Sequence, residues 1–366
     1  MTKGNVMIAM SGGVDSSVAA HLLCEQGYAC IGVTMKLFEN DDIGAESNDV
    51  CCSLSSSLDA RRVADKIGIP HYTFNFSRDF DERVIGKFVR EYELGRTPNP
   101  CVDCNRFLKF ERLFLTARQA GCDFIATGHY AGVGLDGQSG RYLLKKALDK
   151  AKDQSYVLYM LTQEQLARTL FPLGGMRKSE VREVASAYGF ANAQKPESQD
   201  ICFVPDGRYA DFIERRTGRK SEPGDFIDES GRAIGRHKGL IRYTIGQRRR
   251  LGIARPERFF VRGKNPLDNT VTLCGEESLC SKTLVAEDFN TISCEIPDAP
   301  LRVRAMTRYR QRECLATAVW TSQDRVVVTF DEPQRLAAPG QAVVLYETGR
   351  EDVVLGGGTV SATDDD

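Results

Sequence analysis

No apolar run in this chain outlasts a strand, so nothing in it has the length of a membrane span and no membrane partner is expected. An export signal is missing as well. The opening MTKGNVMIAMSGG carries one lysine and a short apolar run, but Gly-Gly stands where a small-residue cleavage site would have to follow. A reducing, cytoplasmic setting is therefore expected, in which the 12 cysteines serve as thiols, ligands or catalysts rather than as structural disulfides. The chain also lacks a surplus of either charge. A formal net charge of −1 means that the molecule as a whole does not advertise a polyanionic partner. Histidine is scarce, with 4 in the chain, and no internal repeat is visible.

What is present has the make-up of a globular protein, and 366 residues are too many for one ordinary core, which predicts two or three domains. Through residue 130 the strand-like runs VMIAM, ACIGVTMKLF, HYTFNF and DFIATGHY alternate with helical patterns over 15–26, 58–67, 80–94 and 107–118. That alternation predicts βαβ units around a parallel sheet. Helical patterns at 155–170 and 178–188 close this α/β domain. Beyond it the texture turns to short β-prone pieces such as GLIRYTIGQ, then to tight alternation in LRVRAMTRYR, RVVVTFDEP and QAVVLYE. The expected plan is an α/β catalytic domain over 1–206, a small central module over 207–282 and a C-terminal antiparallel β-barrel over 283–366. Charge is uneven across this plan: between Asp206 and Lys264 there are 16 Lys and Arg against 8 Asp and Glu, densest in GQRRRLGIARPERFFVRGK. A solvated basic face or a polyanion-binding surface would look the same at this level.

VMIAMSGGVDSSVAAHLL reads as a buried strand, a glycine-rich turn and a helix whose first turn carries Asp15, Ser16 and Ser17. Backbone N–H groups at such a turn, aided by the helix dipole, cradle an anion, and Gly12 and Gly13 allow close approach. An ordinary βα turn capped by Asp or Ser has the same outline. No lysine follows the glycines, so this is not the loop of enzymes that hydrolyse a γ-phosphate.

TPNPCVDCN sets Cys101 and Cys104 three apart behind two prolines, and SQDICF places Cys202 about a hundred residues on. A CxxC pattern alone leaves a metal clip, a redox pair and a single nucleophile all open, although zinc would want a fourth protein ligand and none is spaced for it. Cys104 reads as the start of a helix, where positive field favours the nucleophilic thiolate. Isolated Cys24, Cys122, Cys274, Cys280, Cys294 and Cys314 are expected to be buried structural thiols. The adjacent Cys51 and Cys52 could relay sulfur or regulate, but such pairs in a polar loop more often do neither.

SGGVDSS, GRTPNPCVDCNRFLKF, ATGHYA, KDQSYVLY, SQDICF, GQRRRLGI, TRYRQ and FDEPQRLAAPGQAVVLY with VLGGG together resemble the tRNA-specific 2-thiouridylase family of the N-type ATP pyrophosphatase (PP-loop) superfamily. The motifs stand in family order over nearly the whole chain. SGGVDSS marks only the superfamily, whereas TPNPCVDCN with SQDICF and GQR marks the family.

The resemblance implies a reaction and a set of roles. ATP with Mg²⁺ would adenylate O2 of the wobble uridine of tRNA, and a cysteine persulfide, charged by an upstream cysteine desulfurase or sulfur-relay protein, would deliver sulfur through a transient disulfide. Cys104 matches the nucleophile and Cys202 the persulfide carrier. Ala9, Met10, Ser11, Gly12, Gly13, Val14, Asp15, Ser16, Met35 and Gly128 would hold ATP. Asn99, Pro100 and Cys101 would lie against the base, which must be splayed from its stack. His129, Lys152, Asp153, Gln154, Gln247, Arg248, Arg308, Tyr309 and Gln341 would touch tRNA, with Arg249 and Arg250 adding to the basic surface.

Cys101 departs from the family pattern, which often has Asp there. Cys101, Cys104 and Cys202 could then ligate three irons of a [4Fe–4S] cluster whose fourth iron binds sulfide, a second route to the same product. A carbonyl-adenylating amidation enzyme would need neither Cys104 nor Cys202, and a non-catalytic sulfur carrier or tRNA-binding protein would not need an intact phosphate loop.

Overall fold

The computed structural model describes residues 2–39, 54–195, 201–253 and 258–363; Cys51 and Cys52 lie outside them. Strand β1 (Asn5–Ala9) is the centre of a five-stranded sheet ordered β3-β2-β1-β4-β7, with β2 (Ala29–Lys36), β3 (His71–Asn75), β4 (Phe124–Thr127) and β7 (Thr169–Leu170), every pair parallel. The period of two in β1 sends Val6 and Ile8 to one core and Met7 and Ala9 to another, so an unbroken apolar run serves both faces of a covered sheet. Over the first face pack α1 (Val14–Glu25), α2 (Leu54–Ile67) and α6 (Lys178–Ala187), through Val18, Leu23, Val63, Val181 and Ala185. Over the second pack α3 (residues 77–93) and α4 (residues 100–119), through Phe80, Phe88, Leu108, Phe110 and Leu113. A hairpin of β5 (Gly132–Leu135) and β6 (Tyr142–Lys145) extends from the end of the domain.

The single helix expected over 155–170 is not formed. Only Ser155–Val157 makes a short turn, and α5 is confined to Gln163–Ala167. Tyr156, Leu158 and Leu161 are all fully buried, which leaves no polar face for a surface helix. Thr162 then restarts the chain with a reciprocal cap, its Oγ1 accepting from Gln165 N at 3.3 Å while Gln165 Oε1 accepts from Thr162 N at 3.0 Å.

After α7 (Tyr209–Thr217), whose Phe212 stacks into the second core beside Phe88 and Phe203, comes a four-stranded sheet ordered β10-β11-β8-β9. Its strands are β8 (Gly224–Ile227), β9 (Ala233–His237), β10 (Phe260–Asn265) and β11 (Thr270–Cys274). The C-terminal part is a closed antiparallel barrel, β12-β15-β14-β13-β16-β17, spanning Cys280–Thr291, Leu301–Met306, Cys314–Ser322, Arg325–Arg335, Ala342–Glu347 and Val354–Thr363 in chain order. The fold expected from the sequence is the one observed. Among the described residues no helix is long and apolar enough to cross a membrane. Of the cysteines expected to be buried, Cys122 and Cys274 are; Cys280 is exposed, and Cys24, Cys294 and Cys314 are partly exposed, Cys24 near the end of α1, Cys294 in the bend after β12 and Cys314 at the start of β14.

The barrel shares its packing with the α/β domain. Tyr156 Oη donates to the Ala342 carbonyl at 2.7 Å, and a side chain at Gly357 would run into the ring of Tyr159, its Cβ 2.6 Å from that ring. The turn before β16 grips the loop ahead of α4: Thr97 N donates to Pro339 O at 2.8 Å, Gln341 Nε2 donates to Thr97 O at 2.7 Å, and Gly340, at φ +90°, leaves room for the Thr97 backbone.

Candidate active site

Register places the site. Ala9 pairs with Val33 on one side and Thr127 on the other, so β1 and β4 end at one level of the carboxyl edge while β2 runs on to Lys36, and a crevice opens above the two shorter strands. A cavity of about 360 Å³ lies there. Its wall includes Ala9 at the end of β1, Met10, Ser11, Asp15 and Ser16 from the loop and first helical turn that follow, Met35 near the end of β2, Gly128 and His129 beyond β4, Pro100, Cys101 and Cys104 from α4, Gln154, and Cys202. Gly12, Gly13 and Val14 complete the loop behind this wall.

The loop is held from within. Ser16 Oγ donates to Gly13 O at 3.1 Å and accepts from Ser11 N at 3.2 Å, and Asn192 Nδ2 braces Gly12 O at 3.0 Å. Gly12 has φ +73°, and a Cβ there would sit 2.1 Å from Ser56 O, so neither the turn nor the neighbouring α2 admits a side chain. Gly128 is constrained in a different way: its Cβ would be 2.7 Å from Ser16 N. This close approach lets β4 end directly against the cradle.

Sequence reasoning missed Lys178, 163 residues from the loop on the first turn of α6. Its buried ammonium reaches both carboxylate oxygens of Asp15, at 2.7 and 2.8 Å, and Tyr130 Oη donates to the same carboxylate at 2.7 Å. No local pattern marks this lysine; only the packing of α6 on α1 brings it here. Asp15 with the nearby serine hydroxyls is an oxygen donor set of the kind Mg²⁺ takes, and a cation there would have to share or displace the Lys178 ammonium.

The helix carrying Cys104 begins earlier than the sequence suggests. Asn99 caps it, Oδ1 accepting from Cys101 N at 3.2 Å, Pro100 occupies the first turn, and the Cys104 N–H is already bonded to the carbonyls of Pro100 and Cys101. Cys104 therefore lies a turn inside the helix, and the N-terminal position expected for it belongs to Cys101. From Cys104 to Arg112 the helix widens to i→i+5 pairing. Cys202 borders the same cavity, anchored by its neighbour Phe203, whose ring meets Phe80 at 5.7 Å and Phe88 at 5.2 Å. Cys104 and Cys202 are partly buried, and Cys101 is exposed. All three border the cavity, yet among the described residues no three His, Cys, Asp or Glu side chains are grouped to hold a metal ion. Among the described residues Cys101, Cys104 and Cys202 are thus not grouped as the donor set of a [4Fe–4S] cluster.

His129 is buried between Phe110 and Phe171, with Thr127 Oγ1 at 2.7 Å from Nδ1 and Lys109 Nζ at 3.4 Å from Nε2. Burial first, and then the Lys109 charge, push its pKa well below the ordinary imidazole value of about 6.5. The native ring resists a proton that the unfolded chain accepts. Stability from this group is therefore present above about pH 6.5 and lost as pH falls toward the native pKa. Denaturant titrations from pH 7.5 to 5 are expected to show that loss, with a shallower slope in His129→Gln. His71 and His237, shifted the same way by burial, contribute the remainder.

The residues expected to meet tRNA are spread more widely. Asp153 turns its carboxylate inward, accepting from Ala147 N at 2.8 Å and Ser155 Oγ at 2.7 Å, and burial raises its pKa; its carbonyl takes the Tyr309 hydroxyl at 3.1 Å. Lys152 beside it is partly exposed. Gln154 Oε1 accepts from Tyr130 N at 2.9 Å. Gln247 folds onto its own loop, Arg248 is exposed, and Arg308 Nη2 donates to Leu336 O at 3.0 Å. Gln341 holds the Thr97 loop through its side-chain amide. None of Lys152, Asp153, Gln247, Arg248, Arg308, Tyr309, Gln341 or Asn99 borders the cavity.

A glycine-rich loop between strand and helix at the carboxyl edge of a parallel sheet, sharing one cavity with three thiols, is the arrangement of a nucleotide-binding α/β protein. Three family models match in succession: a tRNA methyl transferase HUP domain at residues 4–206, a tRNA methyl transferase PRC-barrel domain at 210–275 and an aminomethyltransferase beta-barrel domain at 281–360. The chain is 50% identical over 355 residues to the tRNA-specific 2-thiouridylase MnmA of Clostridioides difficile (strain 630), covering 97% of each chain. It is 48% identical over 367 aligned positions to that of Pelotomaculum thermopropionicum, covering 100% of this chain and 99% of the relative. The chain belongs to the tRNA-specific 2-thiouridylase MnmA family.

Proposed function

We propose that this protein is an ATP-dependent sulfurtransferase that replaces O2 of the wobble uridine of tRNA by sulfur. The observation that carries the proposal is the single cavity joining the phosphate cradle to Cys104 and Cys202. The domain division is 1–206 for catalysis, 207–282 for a basic tRNA-binding module and 283–366 for the barrel. The setting is cytoplasmic, where tRNA and a sulfur-donating desulfurase or relay protein are both at hand.

O2 of the uridine attacks the α-phosphorus of ATP and pyrophosphate leaves into the Ser11–Ser16 cradle, whose N–H groups and helix dipole favour the anion. Mg²⁺ bound beside Asp15 would neutralise phosphate charge. The terminal sulfur of a Cys202 persulfide, giving up its proton, attacks C2, and AMP departs with the former O2. The Cys104 thiolate then attacks the Cys202 sulfur. The electron pair of the sulfur–sulfur bond stays on the sulfur now bound to uridine, and a Cys104–Cys202 disulfide remains for an external thiol to reduce. Methyl transfer, named in two of the domain descriptions, makes no use of paired thiols beside a phosphate cradle. The test is nucleoside mass spectrometry of unmodified tRNA incubated with the protein, ATP, Mg²⁺ and a sulfur donor. The proposal expects 2-thiouridine at the wobble position, and its absence despite AMP release would refute the sulfur step.

The exposed Arg248, Arg249 and Arg250 make docking of the tRNA backbone electrostatic. Affinity is expected to fall linearly in log–log form with salt. Replacing the three arginines by alanine should lower the slope magnitude by about 2–3, because each phosphate that is no longer neutralised keeps its own condensed counterion. Filter-binding across a salt series measures this, and an unchanged slope would move the docking surface elsewhere.

A further inference from the structure

Lys109 stands in the cavity with no role in the scheme above. It lies five residues after Cys104 within the π-helical stretch, whose wider turn brings those two positions to the same side of the helix, where an ordinary α-helix would turn them apart, and both border the cavity. Its Nζ donates to Nε2 of His129 at 3.4 Å. Because that nitrogen accepts, the ring hydrogen is on Nδ1, which donates to Thr127 Oγ1 at 2.7 Å, and the imidazole is neutral. The ammonium is thus positioned without being neutralised, and among the described residues no carboxylate pairs with it. Lys178, by contrast, spends its charge on Asp15.

A cation that lines a cavity and has no carboxylate partner among the described residues is a receptor for an anion, and its neighbours say which one. His129 follows Gly128, whose backbone touches the cradle at Asp15 and Ser16, while Cys104 lies below Lys109 on the same helix. The cradle takes the departing pyrophosphate and the thiols work at the base. The anion between them is the phosphate that bridges nucleoside and base. We propose that Lys109 is a catalytic residue that binds the α-phosphate of the adenylyl group, steadying its charge when pyrophosphate leaves and again when AMP leaves. The inference deepens the proposed function and rests on it for the identity of the reaction, while the binding it asserts can be measured without turnover.

The experiment compares equilibrium binding of AMP and of adenosine to the full-length protein, to Lys109→Met and to Lys109→Arg. AMP is expected to bind wild type more tightly than adenosine. Lys109→Met should weaken AMP by about tenfold or more while leaving adenosine within about twofold, and Lys109→Arg should restore most of the difference. A structural role would weaken both ligands together, and a role confined to the Cys104 thiol would weaken neither; either result overturns the proposal. If the binding pattern holds but wild type makes no 2-thiouridine, the fault lies with the proposed reaction and not with the phosphate site. In a working thiolation assay Lys109→Met should lower turnover by about 10²-fold, as loss of one preorganised charge does.

Discussion

Replacing Cys104 by serine is expected to reduce wobble 2-thiouridine by at least about 10³-fold, because a hydroxyl cannot open a sulfur–sulfur bond at neutral pH. Pyrophosphate release on the first turnover should persist, since adenylation uses the cradle and not the thiols. The two readouts therefore separate. Cys202→Ser should show the same split, for want of a carrier for the persulfide. Nucleoside mass spectrometry with parallel pyrophosphate detection checks both variants in one reaction series. Full thiolation by Cys104→Ser would shift the nucleophile to Cys101, which also borders the cavity and holds the helix-start position that the sequence pattern suggests for Cys104. Loss of pyrophosphate release as well would mean that the thiol takes part in adenylation, contrary to the scheme.

The second large effect is expected at a residue with no functional group. A methyl group at Gly128 would lie 2.7 Å from Ser16 N and 2.8 Å from the Asp15 carbonyl carbon, both backbone atoms, so no side-chain movement can relieve the clash. The cradle must shift away from β4. A displacement of about 1 Å between reacting groups costs on the order of 10²-fold in rate, and Gly128→Ala should lose at least that in tRNA-dependent pyrophosphate release, with weaker ATP binding. Gly263→Ala, where nothing lies within 4 Å of the added carbon, is the matched control and should behave as wild type. Retained activity in Gly128→Ala would show that the cradle and the β4 edge need not touch.

These residues differ in how far sequence could reach them. The phosphate loop is a local object: strand, glycines and helix cap follow one another in eighteen residues, and the period of two in β1 already implies a sheet covered on both faces. The antiparallel barrel declared itself by alternation in the same way. Cys104 and Cys202 were visible as motifs, although the helix around Cys104 starts earlier than its apolar pattern begins, because Asn99 and Pro100 cap it from within a stretch that reads as loop. Lys109 and Lys178 were beyond reach for a physical reason. One enters the cavity through a change of helical pitch that side-chain periodicity does not encode, and the other through tertiary packing of α6 on α1. The run over 155–170 misled because its residues are apolar enough to be buried all round, which removes the polar stripe that tells a helix from an extended core segment.

The grip of the barrel on the Thr97 loop bears on the order in which the molecule matures. On the ribosome the α/β domain emerges first, and its cradle and both thiols are complete once Cys202 has been made. The loop that leads into the Cys104 helix acquires its clamp only when Pro339 and Gln341 follow, 244 residues after Thr97 in the case of Gln341. The last-made domain thus completes the site's support, and a chain that stops short of Pro339 lacks the clamp on the loop that leads into the Cys104 helix.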